Sequence, residues 1–436
     1  MLVAILASLS MLLLGWIAKI LTGDWLHPSA MFCSLWGFVC GVAILIAPED
    51  ITSASGPLWI LLNTAIVFAG AMAGTSLACT SRSRRIGSLP CDKVRIQPWP
   101  DKELRTLTAL CTLFGLLYVF FLVRSQGVEL SQLFTLRGLA GVAASMSDVR
   151  YATIGQHAPA PLQWLLTMSY AAPLFGGTLY SCQRRRLDRA ISVLSILPCI
   201  VGFSTQSTKS SVLFGAVMWV AGNMSSREYF GMPVKQIRRK VFYLGALGIP
   251  SVLLLISAGV VLRAGGASAA QIGQSVIGER TKNYMCGHIG ALSQWLDNAD
   301  LVHIRPSFGK FSVAGPYEAI SGDMRAGGIM PDVAILATGQ TNVYTYFRQL
   351  VEDFTLPGSL IAMGVLALLW GIAYRRAREH SRFWTGVLAT CYCGVLLVLT
   401  SIFNYNSMIV AVMLYGTWWW SPWRARKGLA WAQQAF

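Results

Sequence analysis

Apolar residues in this chain come in long blocks, not at the spacing of half-buried elements. The blocks fall at 2–21, 28–47, 57–79, 106–124, 161–181, 190–204, 209–222, 241–262, 357–374, 383–400 and 405–420. Most are near the length at which a helix crosses roughly 30 Å of hydrocarbon. In lipid each backbone amide must find its partner within its own segment, so helices are expected. The ten-residue alternating strands of a membrane barrel are not seen. The pattern predicts an all-α, polytopic integral membrane protein of about eleven transmembrane helices. Residues 1–436 then form a single membrane domain, with no fixed-period repeat. The first block is not expected to be a cleavable signal, since no basic region precedes it. It also runs past Lys19 without a small-residue cleavage site.

Two polar stretches interrupt the blocks. The smaller, 125–160, begins with an amphipathic run over 128–142 in which Leu130, Leu133, Phe134 and Leu136 recur at helical spacing. The larger, 263–356, is too long for an idle connector, because loops beyond about 15 residues are usually functional or disordered. It keeps Trp295, Leu296, Phe308, Phe311, Tyr317 and Ile329, which argues for order. The expectation is short helices and turns packed over the membrane mouth.

Composition supports the membrane reading: 54% of the 436 residues are hydrophobic and 12% charged, against about 25% charged in soluble domains. Charge then orients it. With the N-terminus outside, inner loops and ends hold 24 of the 35 basic residues and 7 of the 19 acidic ones. Short loops rich in Lys and Arg stay cytoplasmic. The termini are therefore expected on opposite faces, N outside and C inside, and both polar stretches face outward. The same sorting removes nucleic acid as a partner. The basic residues sit in short clusters at helix ends, where they set topology and meet anionic membrane lipids. Of ten cysteines, Cys286 is the one clearly outside, so no intramolecular disulfide is expected there. Cys391 and Cys393 lie mid-span with no histidine nearby, which makes a metal site improbable.

The sequence contains no phosphate-binding loop, no zinc-protease helix and no nucleophile elbow. The outer surface instead offers separate cations near the membrane plane: Arg137, Arg150, Lys209, Arg263, Arg280 and Arg348. Guanidinium groups suit phosphate because two charge-assisted bonds form at once. Glu352 and Asp353 stand close to Arg348 for proton transfer, although Arg348 and Glu352 also have the i,i+4 spacing of a structural ion pair. Asp353 has a second reading as a cap on the helix after Pro357. Lys209 follows a hydroxyl-rich turn, Thr205-Gln206-Ser207-Thr208, between two short apolar helices. Such a turn lines a ligand cavity, or its lysine simply snorkels. His288 and His303 are lone outer histidines.

The run Gly339-Gln340-Thr341-Asn342-Val343-Tyr344-Thr345-Tyr346-Phe347-Arg348, with Glu352-Asp353-Phe354 and Gly358, resembles the end of the large periplasmic loop in O-antigen polymerases. That family is also called the oligosaccharide repeat-unit polymerases (Wzy-type). Thr355 stands where its pattern has the glycine of Asp-Phe-Gly, and Lys209 where it commonly has arginine. The resemblance implies a GT-C-type glycosyltransferase of the bacterial inner membrane, active in lipopolysaccharide biosynthesis without cofactor or metal. Its substrate would be an undecaprenyl-pyrophosphate-linked oligosaccharide, and a chain-length regulator protein would be a further partner. Arg263 and Arg280, then Arg348 and Lys209, would neutralise the departing pyrophosphate. Asp353, Glu352 or His303 would take the acceptor proton. Arg137, Arg150, Asn342, Tyr344 and Tyr346 would bind substrate, the tyrosines by stacking on sugar rings. An O-antigen ligase and a flippase or transporter are the alternatives. The near absence of charge within the blocks argues against transport.

Overall fold

The computed structural model describes residues 1–79, 101–152, 159–182, 185–206, 208–232, 258, 274–301, 303–322, 330, 332–397 and 402–420. Helices dominate. The first three are α1 (Leu2–Thr22), α2 (Pro28–Ile46) and α3 (Ser55–Leu77), followed by α4 (Asp101–Ser125), α5 (Leu136–Ala152) and α6 (Ala160–Cys182). Next come α7 (Arg186–Leu194), α8 (Leu197–Gln206) and α9 (Lys209–Tyr229). The block at 241–262 lies outside the described residues, Ala258 excepted. Among the described residues, six stretches are long and apolar enough to cross a membrane: α1, α2, α3, Lys102–Ser125, Arg186–Gln206 and Tyr346–Arg378. The chain is a helical, membrane-embedded protein.

The expected single block at 190–204 is two helices, α7 and α8, separated by a turn at Ser195. Pro198 cannot donate to a helix passing through that turn, while at the start of α8 its missing N–H is harmless. In the smaller polar stretch the amphipathic run is also split. A 3-10 turn over Leu130–Phe134 precedes α5, whose early Gly138 N–H is accepted by Thr135 Oγ1 at 3.1 Å.

Helix contacts rest on small residues, as expected where lipid removes the hydrophobic drive and close backbone approach must supply cohesion. Gly70, Ala71 and Gly74 of α3 face Gly364, Ala367 and Gly371 of the long helix α12 (Tyr346–Arg378). A methyl group at Gly371 would collide with the Ala71 carbonyl, and one at Gly74 with the Leu368 carbonyl. Thr75 adds a hydroxyl bond to the Gly371 carbonyl at 3.3 Å. Gly177 and Gly222 join α6 to α9 in the same way. In the last pair, α13 (Arg382–Leu396) and α14 (Asn406–Trp420), Gly386 faces Gly416.

The larger polar stretch folds as a cap. Its described parts are a 25-residue helix, α10 (Gln274–Asn298), the short α11 (Ala314–Ser321) and a hairpin of β1 (Ala334–Leu336) and β2 (Gly339–Thr341). The strands pair antiparallel, Ala334 opposite Thr341 and Leu336 opposite Gly339. This hairpin departs from the all-α expectation. Three residues per strand show no usable alternation, and its glycine signal, Gly339 at φ 123, follows the turn. The cap is seated on the α2–α3 loop. Asp50 accepts the Thr338 N–H and hydroxyl at 2.9 and 2.6 Å, and the Gly56 N–H donates to Ser293 Oγ at 3.2 Å. Gly290 leaves room for the Asp50 backbone against α10.

The helix α12 is bent near its start. Thr355 has φ 64 and ψ 176, a backbone that breaks the helix before Pro357. Pro357 has no N–H for the Asp353 carbonyl. The carbonyls of Glu352 and Asp353 accept instead from Ser307 and Phe308 N–H at 3.3 and 3.1 Å. The bend therefore stitches α12 to the loop after α10.

Candidate functional site

The segment 339–354 runs from the hairpin into the first turns of α12, and its side chains converge on Arg348. This arginine is 1% exposed. Its Nη2 reaches Asp332 at 2.5 Å and its Nε reaches Glu352 at 2.7 Å. The guanidinium lies over the Tyr344 ring at 4.1 Å and the Trp295 ring of α10 at 5.0 Å. Both distances fall within cation–π range. Nη1 is buried without a hydrogen-bond acceptor. One cation thus faces two carboxylates inside an aromatic sandwich. The local formal charge is negative, which opposes recruitment of an anion at this point. Glu352 takes the structural reading of its i,i+4 spacing, while Asp332 holds the other side from 63% exposure.

Asp353 lies beside this knot with a different task. Its carboxylate accepts from Ser307 Oγ, from Phe311 N–H at 3.1 Å, and from Ser312 N–H and Oγ at 2.5 and 2.6 Å. It is completely buried. Asp353 caps the 307–312 loop and not the helix after Pro357, because the Thr355 bend turns that helix away.

The other expected residues are spread out. Tyr344 is buried, and burial raises its phenol above the usual range while Arg348 pulls the other way. Tyr346 is buried too, its hydroxyl 3.4 Å from Met363 Sδ. Neither ring is presented for sugar stacking. Asn342 is half-buried after the hairpin. His303 is exposed, with Nδ1 2.7 Å from Asp300 Oδ2. His288 is its opposite. It is buried on α10 with both ring nitrogens unpartnered, and burial lowers it to about 4. Arg137 is exposed on α5. Arg150, Lys209 and Arg280 lie on α5, α9 and α10 respectively, with side chains outside the description, and Arg263 lies outside the described residues.

Sequence reasoning missed Asp332, Ser307 and Ser312. Asp332 precedes its partner by sixteen residues and the serines precede Asp353 by more than forty. Local spacing carries no signal over such separations. No family model matches the chain, and no curated protein or solved structure matches it either.

Proposed function

We propose that this chain is a membrane glycosyltransferase that polymerises lipid-linked oligosaccharide repeat units into a surface polysaccharide. The observation that carries the reading is the segment 339–354. Its resemblance to the O-antigen polymerase loop coincides with the junction that fastens the cap to α12 through Arg348, Glu352 and Asp353. On this reading the bundle has about eleven spans in a GT-C-like arrangement within the bacterial inner membrane. The cap faces the periplasm, with the N-terminus on that side and the C-terminus in the cytoplasm. Membrane lipids surround it, and a chain-length regulator is an expected partner.

The donor is the growing glycan on undecaprenyl pyrophosphate. The acceptor hydroxyl of a new repeat unit attacks the anomeric carbon, and the bond from that carbon to the pyrophosphate oxygen breaks. Charge develops on the leaving group, where preorganised cations contribute most. Arg348 is buried against its own carboxylates, so this role falls to Arg263, Arg280 and Lys209, with Arg137 and Arg150 as flanking contacts. Of the three expected proton acceptors, Asp353 is saturated by donors and Glu352 is held by Arg348. His303 is exposed and paired with Asp300. When Nδ1–H donates to Asp300, the lone pair of Nε2 points outward to receive the acceptor proton.

The test is turnover of a purified lipid-linked repeat unit in detergent. Arg263→Ala, Arg280→Ala and His303→Ala are expected to fold and to lose most polymerisation. Full activity in all three would remove the assignment. In cells, loss of the chain should leave single repeat units on the surface. Absence of any attached glycan would point to a ligase, and absence of externalised units to a flippase.

A further inference from the structure

At the end of the bundle away from the cap, a buried polar cluster joins the α1–α2 turn to the last turns of α9 and α12. Asp24, 9% exposed, accepts the Leu26 N–H at 2.9 Å and the Tyr374 hydroxyl at 2.7 Å. Arg378 donates to that same hydroxyl at 2.8 Å. It lies 3.9 Å from Asp24 and 3.6 Å from Glu228, whose side chain is 6% exposed. The Arg378 guanidinium is therefore shared by two buried carboxyls, those of Asp24 and Glu228.

Two buried carboxylates against one guanidinium leave a negative charge uncompensated, and a proton on one of them removes it. The partners indicate which. The Tyr374 hydroxyl accepts from Arg378 and must therefore give its own hydrogen to one Asp24 oxygen while the Leu26 N–H donates to the other, so both Asp24 oxygens are already accepting. Glu228 then holds the proton. The other facing groups do not replace it. His27 is the N-cap of α2, and its Nδ1 accepts the Ser29 N–H at 3.3 Å while Nε2 meets Thr75 Oγ1 at 2.9 Å. Its ring is therefore neutral, edge-on to Tyr374 at 4.8 Å. From α13, Tyr392 spends its hydroxyl on the Leu26 carbonyl at 2.8 Å. Arg227, on α9, is a weaker influence on Glu228 than Arg378. Within 4 Å, one guanidinium faces two carboxyls, and a single proton balances the charge.

We propose that Asp24 and Glu228 form a proton-binding site, one proton held by the pair against Arg378, that latches the α1–α2 turn to the ends of α9 and α12. Release breaks the Glu228 O–H bond and passes the proton to water. Two buried carboxylates are then left against Arg378, and their repulsion opens the latch. Burial is the main cause that pushes Glu228, beyond the expected span 209–222, up to about 8, with Asp24 adding to it. The stabilisation is complete below the ordinary carboxyl range and is lost as pH rises through that value. The site stands apart from the glycan chemistry, so either reading can fail alone.

The test uses the full chain purified in detergent. Infrared spectra of the wild type should show the carbonyl band of a protonated carboxylic acid at neutral pH, and it should titrate away near 8. Thermal stability should fall as pH rises from the ordinary carboxyl range to about 8 and level off above it. In Glu228→Gln the band should vanish and the fall in Tm should shrink by about half or more. In Asp24→Asn the band should titrate at lower pH. Absence of the band in the wild type, which needs no variant to fold, would overturn the proposal. So would a wild-type pH slope in Glu228→Gln, or a slope abolished by sodium but not potassium, which would make the ligand a metal cation.

Discussion

Thr355 offers the sharpest test of the bend that joins the cap to the membrane helix. Its backbone, at φ 64 and ψ 176, lies where glycine is at ease and a β-branched residue is strained. Such residues cost on the order of 1–3 kcal/mol each. Replacing Thr355 by glycine removes that cost but gives back about 0.5–1 kcal/mol of chain entropy in the unfolded state. The net expectation is a gain of about 1 kcal/mol. Thr355→Ala keeps a Cβ and therefore keeps the clash. In an ordinary helix interior, glycine is about 1 kcal/mol worse than alanine. Here the order reverses, and glycine should be the more stable of the two by about 1–2 kcal/mol. Denaturant unfolding of both variants in detergent, followed by intrinsic tryptophan fluorescence, measures the difference. Alanine equal to or better than glycine would show that position 355 is ordinary helix, and the stitching of Ser307 and Phe308 to the Glu352 and Asp353 carbonyls would then lose its cause.

Two further outcomes follow from the buried groups of the cap. Arg348→Met should destabilise the protein by about 3 kcal/mol, the low end for breaking a buried pair, because exposed Asp332 re-solvates while Glu352 does so less easily. Glu352→Gln, which leaves Arg348 with Asp332, should cost about 1 kcal/mol, and equal losses in the two would refute the arrangement. His288→Leu removes an imidazole with two unpartnered nitrogens and should raise stability by about 1 kcal/mol at neutral pH. The unfolded histidine protonates below 6.5 and the folded one only below about 4, so wild-type stability falls as pH drops through that window. The variant should show less of that acid loss in a Tm series, and a variant less stable at every pH would refute the reading.

How much of this was legible in the sequence depends on range. The helical segments show in the blocks because each is a local run, whereas the α3–α12 contact joins segments 296 residues apart at Thr75 and Gly371. The i,i+4 spacing also disclosed the Arg348–Glu352 pair. Beyond one turn of helix the signal fades. Asp332 and Trp295 reach Arg348 from distant segments, and the Asp50–Thr338 clasp spans 288 residues. The Thr355 bend was visible only as an oddity, a threonine in a glycine's place. Its meaning needed the backbone angle.

The same physical argument separates the cations that sequence grouped together. A guanidinium can bind a departing pyrophosphate only if its charge is unspent and water is displaced by the ligand, not by its own protein. Arg348 meets neither condition, since Asp332, Glu352 and two aromatic rings already enclose it. Asp353 is likewise committed, to four donors of the 307–312 loop. The motif that carries the family resemblance is therefore, in this chain, a fastening for the cap. On the proposed reading, chemistry on a bound glycan comes from groups that the fastening positions, which turns attention from Arg348 to Arg280 on α10. That helix is gripped on one side by Asp50, Ser53 and Ser55 and on the other by Arg348 through Trp295. So constrained a helix keeps its backbone in place against the bundle, whereas the side chain of Arg348 is spent on the fastening itself.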